Sequence, residues 1–160
     1  MEGFVRAVPE DTRCLRSLAR ESEAHWGCDT VFLETFDRLF NITEDFITEQ
    51  PVYVLWDGKA PAAFWGLKPD HDGWELEYFY VAERALGTGY GRRMWLHMTG
   101  WCRAHQIQQI HFVTSPQAIG FYEKMGAALS GTSRSVIDGR EIPRFVLDVK
   151  NCIQNTECGD

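Results

Sequence analysis

Between residues 81 and 92 the chain reads Val-Ala-Glu-Arg-Ala-Leu-Gly-Thr-Gly-Tyr-Gly-Arg, and no other stretch narrows the fold as much. Glycines at 87, 89 and 91 stand between an apolar run that ends at Val81 and a helical pattern that begins at Tyr90. Alternate residues without a Cβ admit left-handed backbone and let main-chain N–H groups approach a ligand. At the start of a helix those groups join the unpaired first-turn amides and the positive end of the dipole, which is what a phosphate needs. A second apolar run, Ile107 to Thr114, follows the helix. Strand, glycine turn, helix and strand in one continuous run make a parallel crossover, so the sheet contains at least one parallel pair.

The rest of the chain sets that crossover in a larger sheet. Gly3 to Val8 alternates weakly and reads as a first strand, closed by Pro9 at the head of a helix. Cys14, Leu15, Leu18 and Ala19 give that helix an apolar stripe, and Ala24, His25 and Trp26 lead to a stop at Gly27. Val31, Phe32, Phe36, Leu39 and Phe40 mark a second helix, and Thr43 with Glu44 and Asp45 opens a short third one. Pro51 to Trp56 and Ala60 to Leu67 are strands joined by Asp57-Gly58, a tight hairpin turn. Lys68 to Gly73 is a second turn before a strand from Trp74 to Val81. Strict alternation there puts Trp74, Leu76, Tyr78 and Tyr80 on one face and Glu75, Glu77, Phe79 and Val81 on the other.

After the glycines, Tyr90, Met94, Met98 and Trp101 form the stripe of a helix that ends near His105. Ser115-Pro116 opens a short helix carrying Ala118, Phe121, Tyr122 and Met125, stopped by Gly126. Ala128 to Ile137 and Ile142 to Val149 form a last hairpin turned by Asp138-Gly139, and residues 151 to 160 read as a frayed tail. This order predicts a mixed α/β (α+β) fold in a single domain over residues 1–150. Its sheet is mostly antiparallel, with about seven strands, a parallel central pair and helices on both faces.

Composition narrows the function. Sixteen basic against twenty-three acidic residues leave a net charge of −7, which disfavours nucleic acid and mildly favours cationic small molecules. An anionic ligand must therefore be held locally, where Arg84, Arg92 and Arg93 cluster beside the glycines. The five cysteines, Cys14, Cys28, Cys102, Cys152 and Cys158, form no C-x-x-C pair and no ligand spacing with the histidines. No metal is expected, and a reducing cytoplasm fits best. No basic and apolar leader opens the chain, and no apolar run approaches the ~18 residues of a membrane span, so no membrane is expected either.

The order of elements, the Val81 to Arg92 stretch and the Phe121-Tyr122-Glu123-Lys124-Met125-Gly126 stretch together resemble the GNAT superfamily of acetyl-CoA-dependent N-acetyltransferases, over residues 3–149. The family's motif is Arg or Gln, two residues, Gly, one residue, then Gly or Ala. Gly89 and Gly91 take the two glycine positions, and Leu86 stands where Arg or Gln is usual. A dinucleotide site fits less well, because its third glycine would fall at Arg92 and the strand to Thr114 ends without an acidic residue.

The resemblance implies acetyl-CoA as co-substrate and no metal. Gly87, Thr88, Gly89, Tyr90, Gly91 and Arg92 would cradle the pyrophosphate through backbone N–H groups. Phe79, Tyr80 and Val81 would pair through their backbones with the pantetheine arm, and Ser115 would border the gap that receives it. Tyr122 matches the general acid that protonates the leaving thiolate, although a core aromatic with a satisfied hydroxyl has the same pattern. The acceptor amine must lose a proton; Glu77 is the first candidate to take it and Glu75 the second, against a solvated carboxylate or a substrate anchor. His25 and Trp26 stand where the family's acceptor pocket is bordered. The expected activity is acetyl transfer to a primary amine of a small molecule, peptide or protein. An acyl-CoA sensor without turnover and a transferase for a longer acyl group are the alternatives, and a homodimer through the last strands stays open.

Overall fold

Apolar residues at helical spacing and at alternate positions lay out the elements. The computed structural model describes residues 3–71 and 73–151. Its first half runs β1 (Val5–Arg6), α1 (Thr12–His25), α2 (Thr30–Leu39), α3 (Glu44–Glu49), β2 (Val52–Asp57) and β3 (Ala60–Asp70). Then follow β4 (Gly73–Val81), α4 (Tyr90–Ala104), β5 (Gln109–Val113), α5 (Ile119–Lys124), β6 (Ala128–Arg134) and β7 (Glu141–Asp148). The expected tail lies outside the described residues from 152 onward, and so do Cys152 and Cys158. Side-chain capping sets the starts of α2 and α3: the Asp29 carboxylate accepts the Phe32 N–H at 2.9 Å, and the Thr43 hydroxyl accepts that of Phe46 at 3.1 Å.

Among the described residues, seven strands form one sheet in the order β1-β2-β3-β4-β5-β7-β6. Every neighbouring pair is antiparallel except β4 with β5. The crossover through α4 joins that parallel pair, as the glycine turn requires. Two cores flank the sheet. On one face Trp65, Leu67, Met94, Trp95, Phe112 and Phe145 pack between the strands, α4 and α5. On the other, Leu15, Leu18, Phe36, Val52, Val54 and Phe64 pack beneath α1 and α2. Burying each such side chain is worth roughly 1.5–3 kcal/mol, so both helical layers are held by apolar burial.

Several boundaries differ from expectation. The first strand is only Val5–Arg6, because it pairs at the sheet's edge with β2 alone. Lys68, Pro69 and Asp70 pair with Glu75, Trp74 and Gly73, so the expected turn over 68–73 is largely strand. The last hairpin opens earlier than expected: Ser135 donates to the Arg140 carbonyl at 2.7 Å, closing a wide turn around Asp138-Gly139.

The consequential difference lies in β4. Gly66 pairs with Tyr78 and Leu67 with Leu76, so Glu77 opposes no residue. That bulge resets the alternation. Trp74, Leu76 and Phe79 pack toward α4, whereas Tyr78 and Tyr80 pack toward α1 and α2. Glu75 and Glu77 both reach Lys68, at 3.9 and 3.6 Å, and share a face with each other. The expected grouping of Glu77 with Phe79 is therefore corrected, since one extra residue inverts the pleat. Val81, at the strand's end, touches both cores.

Candidate active site

The parallel pair holds together at one point, Glu75 opposite His111, and the two strands then part. On β4's other edge the Ala82 N–H donates to the Ala62 carbonyl at 2.8 Å. Alternation along an antiparallel ladder then turns the backbone groups of Tyr80 toward β3 and those of Phe79 and Val81 away from it, into the gap. Of the three backbones expected to meet a ligand, Tyr80's is thus engaged by β3. An exposed strand edge inside a sheet offers an extended chain the same ladder that β5 withholds.

Below the gap lies the glycine turn. Gly87 and Gly89 hold φ of 78° and 87°, conformations costly for other L-residues, and a Cβ on either would meet nothing within 4 Å. Their role is conformational. Gly91 differs: its Cβ would lie 3.2 Å from Phe121 Cε1, so its absence lets α4 close onto α5. Gly89 caps α4, and Arg93 donates to its carbonyl at 3.1 Å, while the N–H groups before Arg93 have no acceptor within the helix. The Thr88 hydroxyl donates back to the Ala85 carbonyl and steadies the turn. This cradle of amides at a helix N-terminus fits a phosphate. Arg92 and Arg93 flank it from α4, the latter with its guanidinium 5.1 Å from the Tyr90 ring. Arg84 faces elsewhere, 3.2 Å from the Pro61 carbonyl and 3.8 Å from Asp57.

Above the gap opens a cavity of about 670 Å³. Phe79, Phe112, Thr114, Ser115 and Tyr122 line its inner end; Lys68, Glu75, Glu77 and Tyr80 form the floor. The α1 and α2 wall carries Glu23, Trp26, Phe32, Phe36, Leu39 and Phe40, and the hairpin between β6 and β7 contributes Val136, Ile137 and Arg140. Among the expected residues, Glu77, Phe79, Tyr80, Ser115, Tyr122 and Trp26 therefore meet around one space. His25 does not line it, because its Nδ1 sits 3.2 Å from the Glu83 carboxylate.

Tyr122 is buried among the rings of Phe112 at 4.7 Å, Trp95 at 5.7 Å and Phe79 at 5.9 Å. Burial raises its pKa above the usual phenol range, with a side-chain hydrogen bond to Thr114 pulling the other way, so the hydroxyl keeps its proton. Burial, and next the neighbouring Glu75 charge, raise Glu77 to about 6 against the pull of Lys68. A carboxyl titrating there is ionised at neutral pH yet basic enough to accept a proton.

Glu23 was not among the expected residues. Its carboxylate accepts the Tyr80 hydroxyl at 2.7 Å, and the Cys28 thiol lies 3.7 Å from its other oxygen. Burial raises its pKa, against the hydrogen bonds of Tyr80 and Cys28 and the charge of Arg140. The sequence held the clue: Leu15, Ala19 and Glu23 recur at four-residue spacing, so a carboxylate continues the buried stripe of α1. Among the described residues no group of three or more His, Cys, Asp or Glu is placed to hold a metal, and no helix is long and apolar enough to cross a membrane.

Solved structures share this architecture. PaiA N-acetyltransferase from Thermoplasma acidophilum, in complex with coenzyme A, superposes with a TM-score of 0.78 at 17% identity, over 91% of this chain and 98% of that one. The ribosomal-protein-S18-alanine N-acetyltransferase from Escherichia coli gives 0.69 at 16% identity, over 97% and 98%. The IAA acetyltransferase from Bacillus cereus gives 0.64 at 16%, over 91% and 98%. A comparison with curated proteins gives no match. At such identities the likeness defines a fold shared with acyl-group transferases. The family itself follows from sequence: the model described as Acetyltransferase (GNAT) family matches residues 15–127, and the chain belongs to that family. It is an acyltransferase whose donor is acetyl-CoA.

Proposed function

We propose that the protein transfers the acetyl group of acetyl-CoA directly to a primary amine, with Glu77 taking the amine's proton and Tyr122 supplying one to the departing sulfur. The observation that carries this reading is the pairing, across one cavity, of a carboxyl raised to about 6 with a buried, protonated phenol. Groups whose environments push their pKa values apart divide acid and base roles between them.

Acetyl-CoA supplies an activated thioester. The chain's residues do the rest. The amides of Gly89 to Arg92 hold the pyrophosphate, and the free edge at Phe79 and Val81 aligns the pantetheine arm. The Phe79 N–H polarises the thioester carbonyl, and Ser115 forms the opposite lip. Trp26 covers the acceptor end, and His25 acts through its contact with Glu83. Residues 1–150 form one catalytic domain, and Cys14, Cys28 and Cys102, which form no disulfide among the described residues, support a cytoplasmic setting.

The test is CoA release by purified protein with acetyl-CoA and a panel of amines, with product mass measured. Acetylated amine in step with free CoA is expected. Binding of acetyl-CoA with no turnover on any amine would leave a sensor instead.

A further inference from the structure

The cavity's acceptor end has a chemistry of its own. Resting on the amine-acetylation reading above, we propose that Glu23 anchors the acceptor's ammonium and that the acceptor is a monoamine on an apolar, aromatic-sized body, without a second charge.

Charge pairing supports the anchor. Three carboxylates line the cavity, Glu23, Glu75 and Glu77. Lys68 lies within 4.0 Å of both Glu75 and Glu77 and neutralises that pair in part. Glu23 has no cation within salt-bridge distance among the described residues; its partners are the neutral Tyr80 hydroxyl and Cys28 thiol. A half-buried carboxylate held by neutral donors keeps its negative charge available and has one lone-pair direction per oxygen left for a cation. An entering ammonium supplies the missing charge.

The walls argue for the body. Trp26, Phe32, Phe36, Leu39, Val136 and Ile137 surround the approach to Glu23. Trp26, Leu39 and Val136 are 48%, 59% and 70% exposed, apolar surface that a ligand would cover. The two arginines of the lining are engaged elsewhere. The Arg140 guanidinium is already 2.7 Å from Asp138 and stacked 5.7 Å over Phe32, and Arg134 donates to the Gly139 carbonyl at 2.9 Å. Around Glu23 the walls are the apolar side chains of Trp26, Phe32, Phe36, Leu39, Val136 and Ile137, so a second charge on the acceptor would be buried against them.

The test measures kcat and KM of the full chain for 2-phenylethylamine, spermidine, glycine and a lysine-containing tripeptide. The expected order puts 2-phenylethylamine first by about ten-fold or more in kcat/KM. Glu23→Gln, which keeps an acceptor for Tyr80, should raise its KM by about ten-fold, the scale of one lost charge-assisted hydrogen bond, with kcat and the KM of acetyl-CoA unchanged. Trp26→Ala, at a half-exposed site, should raise the same KM. Preference for spermidine, glycine or the peptide overturns the inference while acetylation stands, as does an unchanged KM in Glu23→Gln. Turnover of none of the four overturns this inference, and turnover of no amine in the wider panel, with acetyl-CoA bound, overturns the acetylation reading as well.

Discussion

Glu77→Gln should make the protein more stable and far less active. Burial and the Glu75 charge raise this carboxyl from 4.5 to about 6, even with Lys68 at 3.6 Å. The side chain is 14% exposed, so solvent screens it little. At about 1.36 kcal/mol per pKa unit, its ionised form costs the fold about 2 kcal/mol. The unfolded chain releases this proton near 4.5 and the folded chain near 6, so the folded state binds more protons in between. Stability therefore falls as pH rises through that window; the penalty is complete above it and absent below. Glutamine is neutral and similar in shape, and Lys68 keeps Glu75 as a partner. At pH 8 the variant's unfolding free energy should exceed the parent's by about 2 kcal/mol, and at pH 4 the two should coincide. Its kcat should fall by about 10²- to 10⁴-fold, and the rise in kcat/KM centred near pH 6 should vanish. Urea unfolding followed by tryptophan fluorescence, with initial rates from pH 5 to 9, measures both. A variant less stable than the parent at pH 8, or one that keeps its turnover, refutes the reasoning.

Other substitutions probe other parts of the site. Tyr122→Phe removes the phenol and its hydrogen bond to Thr114; kcat should drop by about 10- to 100-fold while calorimetric binding of acetyl-CoA is unchanged. Gly89→Glu forces a side chain into φ 87° and sets a negative charge at the head of α4, so the Kd for acetyl-CoA should rise by more than about ten-fold. Trp65→Ala empties a site that is 0% exposed and deletes a 3.0 Å hydrogen bond to His97 Nδ1; thermal unfolding should report a loss of about 3–5 kcal/mol.

What was legible in the sequence was local. The glycines at 87, 89 and 91 announce a left-handed turn and a helix start, and the structure has both, with the parallel crossover that follows. The stripe at Met94 and Met98 and the hairpin after β2 are equally local, since backbone preference decides them within a few residues; the hairpin's loop is Gly58-Lys59, one residue later than expected, because Asp57 pairs with Ala60. The β4 bulge was not legible, because Glu77 extends a regular alternation and only the pairing of its neighbours Tyr78 and Leu76 with Gly66 and Leu67 on β3 exposes the extra residue. The parting of β4 and β5 beyond Glu75 and His111 is likewise a property of two distant segments. Glu23 was readable in principle as a polar residue on an apolar stripe, but its partner Tyr80 lies on another element. His25 shows the converse: adjacent to Trp26 in sequence, it turns to Glu83 while Trp26 faces the cavity.

The most direct measurement is simultaneous quantification of free CoA and acetylated amine when purified protein is given acetyl-CoA and 2-phenylethylamine at pH 8. The account predicts equal amounts of both products, formation dependent on Glu77 and Tyr122, and no acetylated protein accumulating on the way. Acetyl-CoA bound at the glycine turn with no product from this or any other amine would contradict it.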